Sequence, residues 1–142
     1  MLYIDTSVAI GWMHGDFTVE QLLSKVDASE RLAITSISMY EIYAGLYTIQ
    51  FVKKFKKAKA IIDKETASIQ RLEKALVQVD FTTKAARKGA ELYFSLAGAG
   101  ESIDLFDCMI AGTILSRGDS DILTGNADHY SRITGLNVIS MK

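Results

Sequence analysis

Proline is absent from this sequence, cysteine occurs once and histidine twice, and these shortages exclude several classes of protein. Without proline or low-complexity segments nothing marks a linker, so we expect a single domain over residues 1–142. The lone Cys108 excludes an internal disulfide and a cysteine-based zinc cluster, and two histidines exclude a multi-histidine metal site. No apolar run approaches the roughly 18 residues of a membrane span, and the N-terminus lacks the basic region of a secretory signal. We therefore expect a cytoplasmic protein with no membrane partner.

Charge is unevenly distributed along the chain, although the net charge is only −1. Residues 51–90 contain eleven Lys and Arg against four acids, whereas the remainder contains five bases against thirteen acids. The densest basic group either forms a solvated helix face or meets the phosphate backbone of a nucleic acid, and it comprises Lys53, Lys54, Lys56, Lys57 and Lys59. Charge alone does not decide between these two interpretations.

Short apolar runs alternate with stretches of helical spacing along the whole chain. The runs predict strands over residues 2–4, 32–35, 76–79, 122–124 and 137–140. The spacing predicts helices over about 17–28, from Ser38 to Leu46, over 51–76 as one or two pieces, from Thr82 or Thr83 to Ala97, and from Asp104 to about Gly118. Because the runs are apolar throughout, they indicate a mostly parallel sheet covered on both faces. The predicted fold class is therefore a three-layer α/β/α sandwich.

Four acidic side chains and one amide lie on or directly after these elements. Asp5 directly follows the first strand, Glu41 lies on a helix, Asp107 lies at the start of another, and Asn126 and Asp128 follow the fourth strand. The carboxyl ends of parallel strands share one edge of the sheet, which is where such sheets bind ligands. Carboxylates that converge there without basic partners repel one another, and a hard divalent cation such as Mg²⁺ or Mn²⁺ relieves that repulsion.

Each of these residues also has a purely structural interpretation. Asp5 can bond to the following turn, and Asn126 can be an ordinary turn residue. Asp104 can cap its helix, with Asp107 as an acidic companion in the first turn. Glu41 can be the capping-box partner of the residue three positions before it. Individually these signals are weak, and their strength lies in their order.

Four motifs carry that order. They are an apolar pair followed by Asp-Thr-Ser over residues 3–7, and the segments 34–45, 103–111 and 123–130. Together they resemble the motifs of the PIN-domain ribonucleases, particularly the toxin subunits of VapBC-type toxin–antitoxin modules, over nearly the whole chain. The fold of that family, a parallel-sheet α/β/α sandwich, agrees with the architecture predicted from the apolar runs.

The resemblance implies a role for each matching residue. It makes Asp5, Glu41 and Asp107 both catalytic and metal-coordinating, with Asn126 and Asp128 as further catalytic positions. Asp104, one helical turn before Asp107, and Asp128 are further candidate metal ligands. Thr6 and Ser7 are candidates for orienting the ligands from the second shell.

The implied activity is hydrolysis of RNA phosphodiesters by a water activated by Mg²⁺ or Mn²⁺. Lys53, Lys54, Lys56 and Lys57 are the candidate RNA contacts. The implied partners are RNA, a small antitoxin that blocks the acidic cleft, and a second copy of the chain in a homodimer. Either the dimer interface or the core accommodates three helical tyrosines, Tyr40, Tyr43 and Tyr47.

Two other functions compete with this one. The first is a PIN-like RNA-binding or RNA-processing domain with a weakened or inactive site. The second is a small-molecule or nucleotide enzyme on a similar sheet, including a phosphatase with Asp5 as its nucleophile. The absence of any glycine-rich phosphate-binding loop in the sequence disfavours the second.

Overall fold

A five-stranded, all-parallel sheet forms the centre of the protein, in the order β3-β2-β1-β4-β5. The structure is a computed structural model that describes residues 1–25, 27, 29–53 and 58–141. The strands are β1 (Leu2–Ile4), β2 (Leu32–Thr35), β3 (Val77–Val79), β4 (Asp121–Thr124) and β5 (Asn137–Ser140). The helices are α1 (Thr6–Met13), α2 (Val19–Leu23), α3 (Ser36–Phe51), α4 (Ala58–Ala75), α5 (Thr83–Gly98), α6 (Leu105–Ser116) and α7 (Ala127–Tyr130). The parallel α/β/α sandwich predicted from the apolar runs is confirmed.

The sheet separates two hydrophobic cores because successive strand residues point to opposite faces. On one face Leu2, Ile4 and Ile34 pack against residues of α1 to α4. On the other face Tyr3 and Ile122 pack against residues of α5 and α6. The three middle strands are buried throughout or nearly so, which explains why their sequences are apolar without alternation.

The strand register brings distant parts of the chain together at one edge. Leu2, Tyr3 and Ile4 of β1 pair with Asp121, Ile122 and Leu123 of β4. Asp5 follows β1 and Thr124 ends β4, so these two residues lie side by side at the carboxyl edge of the sheet. Along the described chain, no helix is both long and apolar enough to cross a membrane.

The observed helices differ in several places from the predicted ones. The prediction lacks two observed helices, α1 and α7. The helix expected over 17–28 is the short α2, and positions 26 and 28 lie outside the described residues. The stretch over 51–76 is split between the end of α3 and α4, with residues 54–57 outside the description.

The observed start of α3 differs from the predicted start at Ser38. The helix begins at Ser36, because Thr35 is its N-cap and accepts a hydrogen bond from the Ser38 backbone at 3.2 Å. Ser38 is therefore the third helical residue rather than the cap. The capping box of Ser38 with Glu41 is wrong, and the side chain of Glu41 is left for another contact.

Candidate functional site

Asp5 is fixed at the end of β1 by three hydrogen bonds. Its Oδ1 accepts from the Ser7 hydroxyl at 2.7 Å and from the Val8 backbone N–H at 3.0 Å, which makes Asp5 the N-cap of α1. Its Oδ2 accepts from the Thr124 hydroxyl at 2.5 Å. The carboxylate is only 2% exposed, and three donors offset the cost of burying its charge.

Glu41 lies across a short gap from the start of α1. The Thr6 hydroxyl donates to Glu41 Oε1 at 2.7 Å and is also 3.0 Å from the Ser38 hydroxyl. This contact joins residues 35 positions apart in the sequence. The half-buried Glu41 side chain therefore points toward the residue after Asp5, at the carboxyl edge of the sheet.

Asp104 and Asp107 stand at the beginning of α6. Asp104 is the N-cap of that helix and accepts a hydrogen bond from the Phe106 backbone N–H at 2.8 Å, as its structural interpretation predicts. Asp107 Oδ1 accepts from the Tyr130 hydroxyl at 3.1 Å, and Asp107 Oδ2 lies 3.3 Å from His129 Nδ1. Helix α7 thus orients Asp107 through two neighbouring side chains.

Four acids influence one another at this edge. Burial raises the pKa of Glu41, the hydrogen bond from Thr6 lowers it, and the charges of Asp107, Asp104 and Asp5 raise it further. The net shift of the pKa is upward. Burial likewise raises the pKa of Asp107 against the lowering effect of its bonds to the neighbouring helix. No described Lys or Arg forms an ion pair with any of the four acids.

Tyr130 is a neutral donor to this acidic cluster. Its side chain is fully buried, and burial together with the charges of Asp107, Asp5 and Glu41 raises the pKa of its hydroxyl well above the ordinary value. The hydroxyl therefore stays protonated at neutral pH and keeps its hydrogen bond to Asp107.

Asn126 and Asp128 lie beside the cluster rather than within its hydrogen bonds. The Asn126 backbone N–H donates to the Thr124 hydroxyl at 2.8 Å, and this hydrogen bond holds the turn that follows β4. Both side chains are exposed and line an open cleft of about 270 Å³ that also includes His129. In the described part of the chain neither side chain forms a hydrogen bond with the four acids.

The donor chemistry at this edge suits a divalent cation. The candidate ligands are carboxylate oxygens, which hard cations prefer, and burial together with the charges of the other acids raises the pKa of Glu41. The placement is incomplete, because among the described residues no three Asp, Glu, His or Cys side chains are grouped closely enough to hold a metal ion. The side chains fit the charge of a cation, and binding one requires them to move closer together.

The remaining predicted residues lie elsewhere. Lys53 is exposed after the end of α3, and Lys54, Lys56 and Lys57 lie outside the described residues. A core position for the helical tyrosines is wrong for two of them, since Tyr40 is 62% exposed and Tyr47 is 48% exposed.

Sequence reasoning gave no role to Thr124, His129 or Tyr130, although all three contact the cluster. Thr124 and Tyr130 donate to Asp5 and Asp107, yet each reads in the sequence as an ordinary strand end or core aromatic. The signal for Thr124 is the register of β1 with β4, which no single strand reveals. For Tyr130 the only signal is its position next to His129, because a helix of four residues is too short to show a helical period in the sequence.

The raised pKa of Glu41 predicts a pH-dependent stability. A carboxyl whose pKa is higher in the folded state opposes folding more strongly as the pH rises through that range. We expect Glu41→Gln to stabilise the cation-free protein at pH 7 and to lose this advantage as the pH falls to about 4, where the carboxyl is protonated even when unfolded. Urea denaturation between pH 4 and 7 measures the effect.

Glu101→Gln is the matched control, because Glu101 is exposed and has no ion pair among the described residues. It should change the unfolding free energy by less than about 0.5 kcal/mol at either pH. A Glu41→Gln protein that is no more stable than the parent at pH 7 contradicts the prediction.

The chain resembles known proteins both in its family and in its fold. The model of the PIN domain family matches residues 2–136. No curated protein sequence matches the chain. Several solved structures share its fold, and each of them is a protein that this chain is similar to over nearly its full length.

Three of these structures illustrate the similarity. VapBC2 from Rickettsia felis, bound to a DNA fragment from their promoter, has a TM-score of 0.80 at 20% identity and covers 99% of this chain and 98% of that chain. DNA-bound VapBC from Salmonella typhimurium has a TM-score of 0.78 at 24% identity, with 100% of both chains covered. VapBC-1 from nontypeable Haemophilus influenzae has a TM-score of 0.77 at 20% identity, covering 99% and 98%. At these identities the likeness establishes the fold.

Proposed function

This chain belongs to the PIN-domain family, and from its acidic edge we propose that it is a cation-dependent endoribonuclease, the toxin of a toxin–antitoxin pair acting in the cytoplasm. The observation that carries the proposal is that Asp5, Glu41, Asp104 and Asp107 lie at the carboxyl edge of the sheet, near enough for their charges to influence one another, without a described Lys or Arg partner. Hydrogen-bond donors offset part of the cost of burying these charges, and a positive charge would also relieve the repulsion between them. A divalent cation is the simplest supplier.

Asp5, Glu41 and Asp107 would hold the cation, which is Mg²⁺ or Mn²⁺. Asp104 and Asp128 are the further candidate ligands, and Asn126 faces the same cleft as Asp128. When bound, such a cation lowers the pKa of a water ligand and neutralises charge on the phosphate that is being cleaved. The carboxylates position this chemistry and do not act as nucleophiles.

Neighbouring hydroxyls would keep the carboxylates in place. Ser7 and Thr124 each donate to one oxygen of Asp5, so its free lone pairs have a defined direction. Thr6 does the same for Glu41, and Tyr130 for Asp107. Groups that orient metal ligands in this way typically contribute 10–100-fold to affinity or activity.

The proposed partner is a small antitoxin that covers the acidic edge. Supporting this is an apolar groove of about 180 Å³ between α1, α3 and α4, which has Glu41 at one side and Ile10, Ile42 and Leu46 along it. A segment in this groove would reach the carboxylate directly. A homodimer is proposed as well, with the exposed Tyr40 ring, 5.6 Å from that of Phe106, as a candidate contact.

Cleavage of single-stranded RNA by the purified chain, freed of any antitoxin, tests the function. We expect cleavage with Mn²⁺ or Mg²⁺ and none in excess EDTA, because the carboxylates alone repel the phosphate. RNA bound but left intact with both cations would contradict nuclease activity and favour the alternative, an RNA-binding PIN-like domain with an inactive site. A covalent aspartyl-phosphate would instead indicate a phosphatase.

A further inference from the structure

Three cations of the basic residues 51–90 lie along one face of α5. Lys84, Arg87 and Lys88 lie three and four residues apart on α5 and line a cleft of about 470 Å³ against the end of α6. A second cleft, of about 270 Å³, continues from Lys88 and Glu91 to Arg132. We call the four cations Lys84, Arg87, Lys88 and Arg132 the α5 basic track.

The charges of this track are largely available to a ligand. Among the described residues, Lys84 and Arg87 are exposed and form neither an ion pair nor a side-chain hydrogen bond. Lys88 pairs with Glu91 at 2.9 Å, an exposed contact of the kind that contributes about 0.2–1 kcal/mol. Four cations thus line the two clefts against the single acid Glu91, which leaves the surface strongly positive.

The track leads toward the acidic edge. Arg132 donates to the Ser102 carbonyl at 3.0 Å, two residues before the cap of α6, and it follows Tyr130 by two positions. Tyr130 is the residue whose hydroxyl contacts Asp107. A polyanion that follows the cations from Lys84 to Arg132 would therefore arrive beside the carboxylates.

We propose that the α5 basic track binds the phosphate backbone of single-stranded RNA and delivers it to the acidic edge. This inference rests on the proposed function for its ligand, because it takes RNA as the substrate. Neither described cleft has an aromatic side chain in its lining on which a base could stack, so the track gives affinity and direction through phosphate contacts.

The test is the salt dependence of RNA binding by the double variant Lys84→Ala/Arg87→Ala. A fluorescently labelled single-stranded RNA of mixed sequence, about 20 nucleotides long, is titrated in EDTA at several salt concentrations, so the readout does not depend on cleavage. Losing two phosphate contacts should reduce the slope of log affinity against log salt by about 1.4, since each contact contributes about 0.7 for single strands.

Lys64→Ala/Lys74→Ala is the matched control. Both lysines are exposed on α4, against the opposite face of the sheet, and neither has an ion pair in the described chain. The control removes the same charge and should leave the slope within about 0.3 of the parent value. Equal slopes for the two double variants would overturn the proposal, because net charge alone would then explain the binding.

Two further outcomes separate this inference from the proposed function. An unchanged slope in Lys84→Ala/Arg87→Ala, with cation-dependent cleavage intact, overturns the track alone. A reduced slope without any cleavage supports the track and removes the nuclease. If the double variant loses affinity only for duplex DNA of the same sequence and keeps its RNA binding, the track is a DNA contact and the proposal fails.

Discussion

Asp107→Asn should reduce cation-dependent RNA cleavage about a thousandfold or more while leaving the protein folded. Under the proposed function a bound cation would contribute several kcal/mol to the cleavage transition state, and each 1.36 kcal/mol is a factor of ten in rate. An amide is a poorer ligand because it carries no charge, yet its oxygen still accepts the Tyr130 hydrogen bond. The raised pKa of Asp107 means that burying its charge opposes folding, so a neutral Asn is tolerated.

Asp16→Asn is the control for this experiment. Asp16 is exposed after the end of α1, has no ion pair among the described residues and lies at the end of the helix remote from Asp5. It removes the same charge and should leave the cleavage rate within about twofold of the parent. Circular dichroism and urea denaturation confirm folding in both. A folded Asp107→Asn protein that cleaves at the parental rate would refute the assignment of Asp107.

Gly112→Ala should destabilise the protein by about 2 kcal/mol, because it inserts a methyl group between two helices. A Cβ at Gly112 would lie 2.6 Å from the backbone nitrogen of Gly89 and 2.8 Å from the Ala85 carbonyl oxygen. Both are backbone atoms, so α5 must move away from α6 as a unit. For a chain of this length the loss corresponds to about 4–8 °C in melting temperature.

Gly45→Ala makes the same chemical change with the opposite expected sign. Gly45 lies in the middle of α3, and an added Cβ there meets nothing within 4 Å. Replacing an open helical glycine by alanine stabilises a protein by about 0.5–1 kcal/mol. Urea denaturation of the two variants and the parent measures both effects. Similar unfolding free energies for the two variants would contradict the close approach of α5 and α6.

The middle strands were predictable because they are buried almost throughout. In a parallel sheet covered on both faces such strands are mostly apolar, as Leu2-Tyr3-Ile4 and Ile122-Leu123 are. The end of α6 could be placed for a similar reason, since Gly118 has a φ of 80° and such conformations favour glycine. Both signals, an apolar run and a glycine after a helix, can be recognised from a few consecutive residues.

Helix α1 could not be predicted from its own residues. It is apolar on most sides and contains Gly11, which ordinarily weakens a helix. The reason for this glycine is a tertiary contact, because an added Cβ would lie 2.4 Å from the ring of Phe17, which would have to move. The start of α3 was misplaced for a related reason, since Thr35 and Ser38 are equally good caps in sequence and only the end of β2 selects the first.

The acids of the candidate site could be proposed from the sequence, but their supports could be proposed only in part. Asp5, Glu41 and Asp107 are visible as charges beside apolar residues, which local reasoning detects. Thr6 and Ser7 follow Asp5 directly and could be named as candidates, whereas Thr124, which donates to Asp5, comes from an element far away in the sequence. Whether the acids share one cation and whether Asn126 or Asp128 joins them stay predictions.

The pairing of β1 with β4 has a consequence for the protein during its own synthesis. β1 is synthesised more than a hundred residues before its neighbour β4, which brings Thr124 to Asp5 and is followed by Tyr130, the donor to Asp107. An incomplete nascent chain therefore has no assembled acidic edge, and contacts so distant in sequence form slowly. Any chemistry that depends on this edge therefore has to wait until β4 has been synthesised and has paired with β1.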